Sequence, residues 1–181
     1  MFARTERLLL RPGFPEDAQA LACAMGDERI ARNLASVPWP FGEKEAADYL
    51  ARRTDDSLPS FLIVERTNGA PRIVGGCSII RRPSGAVELG YWIAPRDWGR
   101  GLATEACQAL IQIARALGLS RIHASVFDDN PASARVLEKL GFVATPFREP
   151  HYSRGRGADV MARRYRLSLV TRGDCMPALA A

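Results

Sequence analysis

Arg96-Asp97-Trp98-Gly99-Arg100-Gly101-Leu102-Ala103-Thr104-Glu105-Ala106 is the stretch on which the reading of this chain turns. The run Val87 to Ala94 before it predicts a strand, and a helix is expected from Leu102. Between them, two glycines let the backbone turn tightly with no side chain over it, and the first turn of a helix leaves amide N–H groups unpaired. Those donors and the positive end of the helix dipole suit a phosphate group. The segment therefore reads as a holder for the pyrophosphate of a nucleotide-type cofactor, against the plainer reading of a strand–turn–helix connection. A dinucleotide fold would carry G-x-G-x-x-G and a nucleoside triphosphatase G-x-x-x-x-G-K-S/T. Neither is present; the spacing is R-x-x-G-x-G at Arg96, Gly99 and Gly101.

Working outward, Arg7 to Arg11 predicts a buried strand, and Pro15 suits the first turn of a helix carrying Ala18, Leu21, Ala22 and Met25. Further helices are expected over Glu28 to Leu34 and Glu43 to Arg53, separated by the apolar loop Val37 to Gly42. From Ser60 the period becomes that of strands: Phe61 to Glu65, a turn at Asn68-Gly69, Arg72 to Ile80, a turn at Pro83-Ser84-Gly85, then Ala86 to Ala94. Leu102, Ala106, Leu110, Ile113 and Leu117 form a helical stripe closed by Gly118. Arg121 to Phe127 is the next strand. Asn130 is a good N-cap with Pro131 at the first helical position, and Gly141 ends that helix. Phe142 to Ala144 begins another strand, and Asp159 to Leu167 is the last. The fold class is α+β, a mixed and mostly antiparallel sheet with flanking helices, whose parallel step falls at the glycine loop.

The chain has 181 residues, enough for one domain over 1–170, with 171–181 expected as a loose tail. Hydrophobic residues make up 47% and charged residues 25%, the balance of a globular protein rather than a disordered one. A net charge of +5 raises RNA binding, but the arginines are scattered, with no basic block interleaved with aromatics. A basic rim for a phosphorylated cofactor explains the charge equally well, so no direct nucleic-acid partner is expected. Cys23, Cys77, Cys107 and Cys175 form no C-x-x-C pair and read as buried reduced thiols, and no metal site is expected. The lack of an apolar run of membrane length and of a signal-peptide pattern predicts a cytoplasmic location with no membrane partner.

A second constellation follows the strand after the glycine-loop helix: Asn130-Pro131-Ala132-Ser133, then Leu137-Glu138-Lys139-Leu140-Gly141-Phe142. The glycine loop resembles the acyl-coenzyme A loop of the GNAT acetyltransferases, and this second segment resembles their other signature. In particular it is similar to the RimJ/RimL-like branch, which acetylates ribosomal-protein N-termini. Thr5 to Pro12, Glu88 to Ile93 and Gly157 to Val160 resemble other strands of that branch, so the likeness runs from about residue 5 to residue 168. The resemblance implies a GNAT fold in which two parallel strands, Ala86–Ala94 and Arg121–Phe127, splay apart around the pantetheine arm of acetyl-CoA. Backbone groups of Trp92, Ile93 and Ala94 would pair with that arm. Amides from Trp98 through Gly99, Arg100, Gly101, Leu102, Ala103 and Thr104 would hold the pyrophosphate. Asn130 and Ser133 would lie near the sulfur, and Arg96, Arg100 and Arg135 on the cofactor's side.

Acetyl transfer to an amine needs a proton acceptor, a stabilised oxyanion and a protonated leaving thiolate, with no Cys or Ser nucleophile. Glu88 is the candidate base, directly or through water; a solvated strand glutamate is the competing reading. The oxyanion donor is expected near Ile93. Where many relatives carry a Tyr acid this chain has Leu137, which leaves Ser133, and secondarily Tyr152, as acid candidates. Trp39 and Phe41 are candidates for an acceptor pocket or for plain core. The function expected is an acetyl-CoA-dependent N-acetyltransferase acting on a protein N-terminal or small-molecule amine, as a monomer or homodimer. The alternative is a non-catalytic acyl-CoA-binding module.

Overall fold

Alternating buried and half-buried residues in Leu8-Leu9-Leu10-Arg11 place that segment inside a sheet with helices on both faces. The protein is described by a computed structural model covering residues 1–51, 57–67 and 69–169. The end of the predicted third helix at Arg53, Asn68 of the predicted turn, Cys175 and the tail 171–181 lie outside the described residues. In chain order the elements begin with strands β1 (Ala3–Arg4) and β2 (Leu8–Arg11). A 3-10 turn at Pro15–Asp17 then leads into helices α1 (Ala18–Met25), α2 (Glu28–Ala31) and α3 (Glu43–Ala51). Next come β3 (Ser60–Glu65), β4 (Arg72–Arg81), β5 (Val87–Ile93), α4 (Leu102–Ala116) and β6 (Arg121–Phe127). The chain continues with α5 (Pro131–Lys139), β7 (Val143–Ser153) and β8 (Ala158–Ser168).

The strands form one eight-stranded sheet in the order β1-β2-β3-β4-β5-β6-β8-β7. Every neighbouring pair is antiparallel except β5 and β6, which the α4 crossover makes parallel. One core lies between the sheet and α4, with Leu8, Leu10, Ile63, Val74, Leu110 and Ile122 in it. The other lies beneath α1 to α3, with Leu21, Met25, Leu62, Val64 and Trp92. The two cores take alternate residues of the same strands, as pleating requires.

Most differences from the sequence reading are at element ends. The second helix stops at Ala31 rather than Leu34. The buried stripe of α4 also takes in Cys107, Ile111 and Ala114 and stops short of Leu117, which is exposed because it is the C-cap beyond the last helical residue, Ala116. Strand β7 begins within the stretch expected to open it, at Val143, but runs for eleven residues to Ser153, an extent left unread. It is an edge strand with almost all side chains exposed, so it lacks the apolar alternation that marks a strand. Cys23 is exposed rather than buried, whereas Cys77 and Cys107 are buried as expected.

Candidate active site

The parallel pair meets in register at one point, Glu88 with His123, and then diverges. Main-chain groups along a strand alternate in direction. On β5 the even positions face β4: Ala94 donates to the Val74 carbonyl and Arg82 to that of Ala86, each at 2.8 Å. Tyr91 and Ile93 therefore turn their N–H and C=O groups toward the widening gap. On β6, Asp128 donates across to the Met161 carbonyl at 2.9 Å. The odd position Ser125 thus turns its backbone to the same gap. The expectation that Trp92 and Ala94 present backbone groups there is corrected: theirs belong to the β4–β5 ladder, and Tyr91 and Ile93 take that place. The Ile93 carbonyl already accepts the Trp98 indole N–H at 2.6 Å.

The glycine loop is shaped by positive φ angles of 75° at Gly99 and 76° at Gly101, a region that costs a residue with a Cβ about 1 kcal/mol or more. A Cβ at Gly99 would meet nothing within 4 Å, so the loop opens onto free space. Amides of Gly99 through Thr104 have no hydrogen-bond partner among the described residues, and Glu105 makes the first intrahelical bond, to the Gly101 carbonyl at 3.1 Å. The Trp98 amide, counted among the donors from sequence, is instead bonded to the Pro95 carbonyl at 3.3 Å. From below, Arg7 steadies the loop: its guanidinium donates to the Arg100 carbonyl at 2.9 Å and to the Glu105 carboxylate at 2.7 Å.

Arg100 does not turn toward that space. Its guanidinium donates to Asp97 at 2.7 Å and pairs with Glu65. Arg72 binds the same two carboxylates, Glu65 at 2.7 Å and Asp97 through both its terminal nitrogens at 2.7 and 2.8 Å. The four charges cancel, and the arginine hydrogen bonds hold the carboxyl groups of Asp97 and Glu65 below their ordinary range. The expected role of Arg100 as a phosphate-neutralising group is corrected accordingly: it anchors the loop.

A cleft of about 470 Å³ runs through the gap between β5 and β6. Trp92, Ile93, Trp98, Gly99 and Gly101 line it, as do Leu102, Ala103, Thr104, Asn130, Ser133 and Arg135. Ala94, Arg96 and Arg100, expected on it from sequence, are not among its walls. Asn130 caps α5 by accepting the Ser133 amide at 3.2 Å. The Ser133 hydroxyl lies 2.6 Å from the Tyr91 hydroxyl, which also donates to the Ser133 carbonyl at 3.1 Å. Burial raises the pKa of the Tyr91 phenol, so it keeps its proton. Tyr91 was missed in the sequence because its direction depends on which backbone groups pair with β4. Inside the cleft wall the Trp92 indole N–H is buried with no partner among the described residues.

A second cavity, of about 540 Å³, lies against the same sheet beyond the point where the strands meet. Glu88, His123, Tyr152 and Arg164 line it, and Ser125 lines both cavities. Glu88 is ion-paired with Arg82 across the β4–β5 turn. Tyr152 is exposed on β7 beside Glu88, in a different cavity from Ser133. The β7–β8 turn is fastened over α2, with the Arg154 amide donating to the Ala35 carbonyl at 3.0 Å and Arg156 to the Arg32 carbonyl at 2.6 Å. Phe41 is core and Trp39 is largely exposed; neither lines either cavity. Among the described residues no helix is long and apolar enough to cross a membrane.

Residues 7–143 match the acetyltransferase (GNAT) domain family. The chain is 32% identical over 177 residues to p20 of Bacillus licheniformis, an uncharacterised N-acetyltransferase, covering 93% of this chain and 95% of that one. A GNAT-family acetyltransferase structure from Bacillus anthracis superposes with a TM-score of 0.79 at 22% identity, over 93% of this chain and 99% of that one. A RimL ribosomal-protein α-N-acetyltransferase solved with coenzyme A gives 0.76 at 18% identity, over 93% and 98% of the two chains. The diverging strands, the glycine loop and these matches together place the chain in the GNAT family of acetyltransferases.

Proposed function

We propose that the protein transfers an acetyl group from acetyl-CoA to a primary amine, by direct attack, with the donor in the cleft and the acceptor in the cavity beside Glu88. The observation that supports this most is that Ser125, on β6 just past the point where β5 and β6 pair, lines both spaces. One space carries free amide donors, and the other carries a carboxylate.

The residues suit coenzyme A. Six consecutive amides without partners and the first turn of a fifteen-residue helix offer an anion site, and Arg135 lies on the cleft wall. Tyr91, Ile93 and Ser125 offer strand edges to an extended arm. Bound there, coenzyme A supplies the thioester. Glu88 receives the proton that the amine gives up as its nitrogen bonds to the acyl carbon. The Ile93 amide, in the gap, is the oxyanion donor. As the carbon–sulfur bond breaks, the Ser133 hydroxyl, held by Tyr91, would pass a proton to the departing sulfur and regain one from solvent in the open cleft. Tyr152 sits on the acceptor side and serves there in acceptor contact rather than as the acid.

The acceptor is a protein N-terminal α-amine or a small-molecule amine. An α-amine has an ordinary pKa of about 8 against about 10.4 for lysine, so a modest base suffices. The fold likeness to a RimL enzyme supports the first choice. A thiol-release assay with acetyl-CoA and a panel of free-N-terminus peptides and small amines tests the proposal. Turnover is expected, with Glu88→Gln lowering kcat/KM by roughly 10²–10⁴ while coenzyme A uptake persists. Coenzyme A uptake without transfer to any amine would instead show a non-catalytic acyl-CoA-binding module.

A further inference from the structure

Resting on the acetyltransferase reading, we infer that His123 is a second catalytic group: the amine proton is received by a Glu88–His123 pair and comes to rest on the imidazole. The two residues are register partners at the single point where β5 and β6 pair, and both line the acceptor cavity. Glu88 alone is not free, because Arg82 holds its carboxylate in an ion pair. His123 has the opposite condition. Its Nδ1 is buried and has no hydrogen-bond partner among the described residues. The ring itself lines the acceptor cavity, so a bridging water or the amine reaches it from that side.

The charges around the ring decide its protonation. Desolvation opposes the imidazolium first; then come Arg164 and Arg166 from β8 and Arg121 from its own strand, while Glu88 from β5 favours it. On β7, His151 and Tyr152 also line the cavity, and Glu149 is engaged by Arg164 and His151. The balance lowers the His123 pKa, so the ring is neutral at pH 7 and able to accept a proton. The step balances: the amine N–H bond breaks, the nitrogen–carbon bond forms, and the proton passes by way of Glu88 or a bridging water to His123. The imidazolium returns it to solvent after the product leaves.

Three measurements on the full chain test this. The first is the pH profile of kcat/KM for transfer to a free-N-terminus peptide. The wild type should show an acid limb below the ordinary imidazole range. His123→Gln should lose that limb and about 10² in rate at pH 7, and added imidazole should restore part of the rate of His123→Ala. The second is calorimetry with coenzyme A, whose Kd should be the same in wild type and variants. The third needs no change at His123: the ring proton signals of the only two histidines, assigned with His151→Gln, are titrated in the otherwise native protein. The His123 signal should titrate low and should shift with Glu88→Gln. A retained acid limb, a rate change under threefold, or a His123 titration indifferent to Glu88→Gln overturns the inference alone. Absence of coenzyme A uptake overturns the acetyltransferase reading and this inference with it.

Discussion

Replacing Asp97 by Asn should lower the melting temperature by about 2–8 °C, a figure that follows from its surroundings. Asp97 is 3% exposed and accepts both terminal nitrogens of Arg72, at 2.7 and 2.8 Å. A hydrogen bond to a charged group is worth about 1.5–3 kcal/mol and a neutral one about 0.5–1.5, so removing the charge costs roughly 1 kcal/mol for each bond. The Arg72 side chain is 34% exposed, and screening trims the total to about 1–2 kcal/mol. A protein of this length moves by about 2–4 °C per kcal/mol. Loss of the Arg100 contact acts in the same direction. The substitution also leaves the Glu65–Arg72–Asp97–Arg100 cluster with an added positive charge, which by itself would favour a phosphate. Weaker coenzyme A uptake in Asp97→Asn would therefore isolate the loss of loop shape from electrostatics. Differential scanning calorimetry and titration calorimetry give the two readings. A shift under about 1 °C, or tighter uptake, would refute the role assigned to this network.

Asn130→Ala removes the side-chain acceptor of the Ser133 amide and should cost about 1 kcal/mol, seen as a drop of roughly 2–4 °C in Tm. An unchanged melt would dismiss the cap. Gly155→Ala puts a Cβ 2.7 Å from the Ala31 carbonyl carbon and oxygen, so the β7–β8 turn must lift off α2. It should lose about 1–3 kcal/mol in denaturant melts, with acceptor KM rising more than acetyl-CoA KM. Equal changes in both would contradict the placement of the acceptor cavity. On acidification, Asp17, Glu65, Asp97 and Asp129, all held below their ordinary values chiefly by arginine hydrogen bonds, resist protonation in the native state. The unfolded chain then binds more protons, so the stability these groups contribute is present above the ordinary carboxylate range and lost as pH falls through their native values. Unfolding midpoints in denaturant measured stepwise from pH 6 downward should decline; a flat profile would show that the ion pairs contribute nothing.

Much of the fold was legible because local chemistry and tertiary context agree. Arg121 to Phe127 and the Asn130-Pro131 helix start fall where alternation and capping put them. The glycine loop was legible for the same reason: two positive-φ positions before a helix admit few alternatives. What escaped was whatever depends on register. Glu88 and His123 could each be placed on a strand, but not as partners, since pairing between β5 and β6 is set by a crossover helix and leaves no trace in either strand. Tyr91 and Trp92 exchanged roles because the direction of a backbone group depends on which neighbour strand it serves. The orientation of Arg100 was hidden for another reason: its partner Glu65 lies 35 residues away, and a guanidinium beside a phosphate loop looks the same in sequence whether it faces ligand or protein. The extent of strand β7 escaped because an exposed edge has no buried face to pattern it.

The claim beneath all of this is that the unpaired amides from Gly99 to Thr104 grip the pyrophosphate of coenzyme A. Amide-resolved NMR of the labelled protein during addition of coenzyme A tests it most directly. The account predicts saturable shifts centred on Gly99, Gly101 and Leu102 to Thr104, with the Trp98 indole signal moving as the arm reaches the Ile93 carbonyl. Saturating coenzyme A that leaves those amides unmoved, or moves a different region, would contradict it.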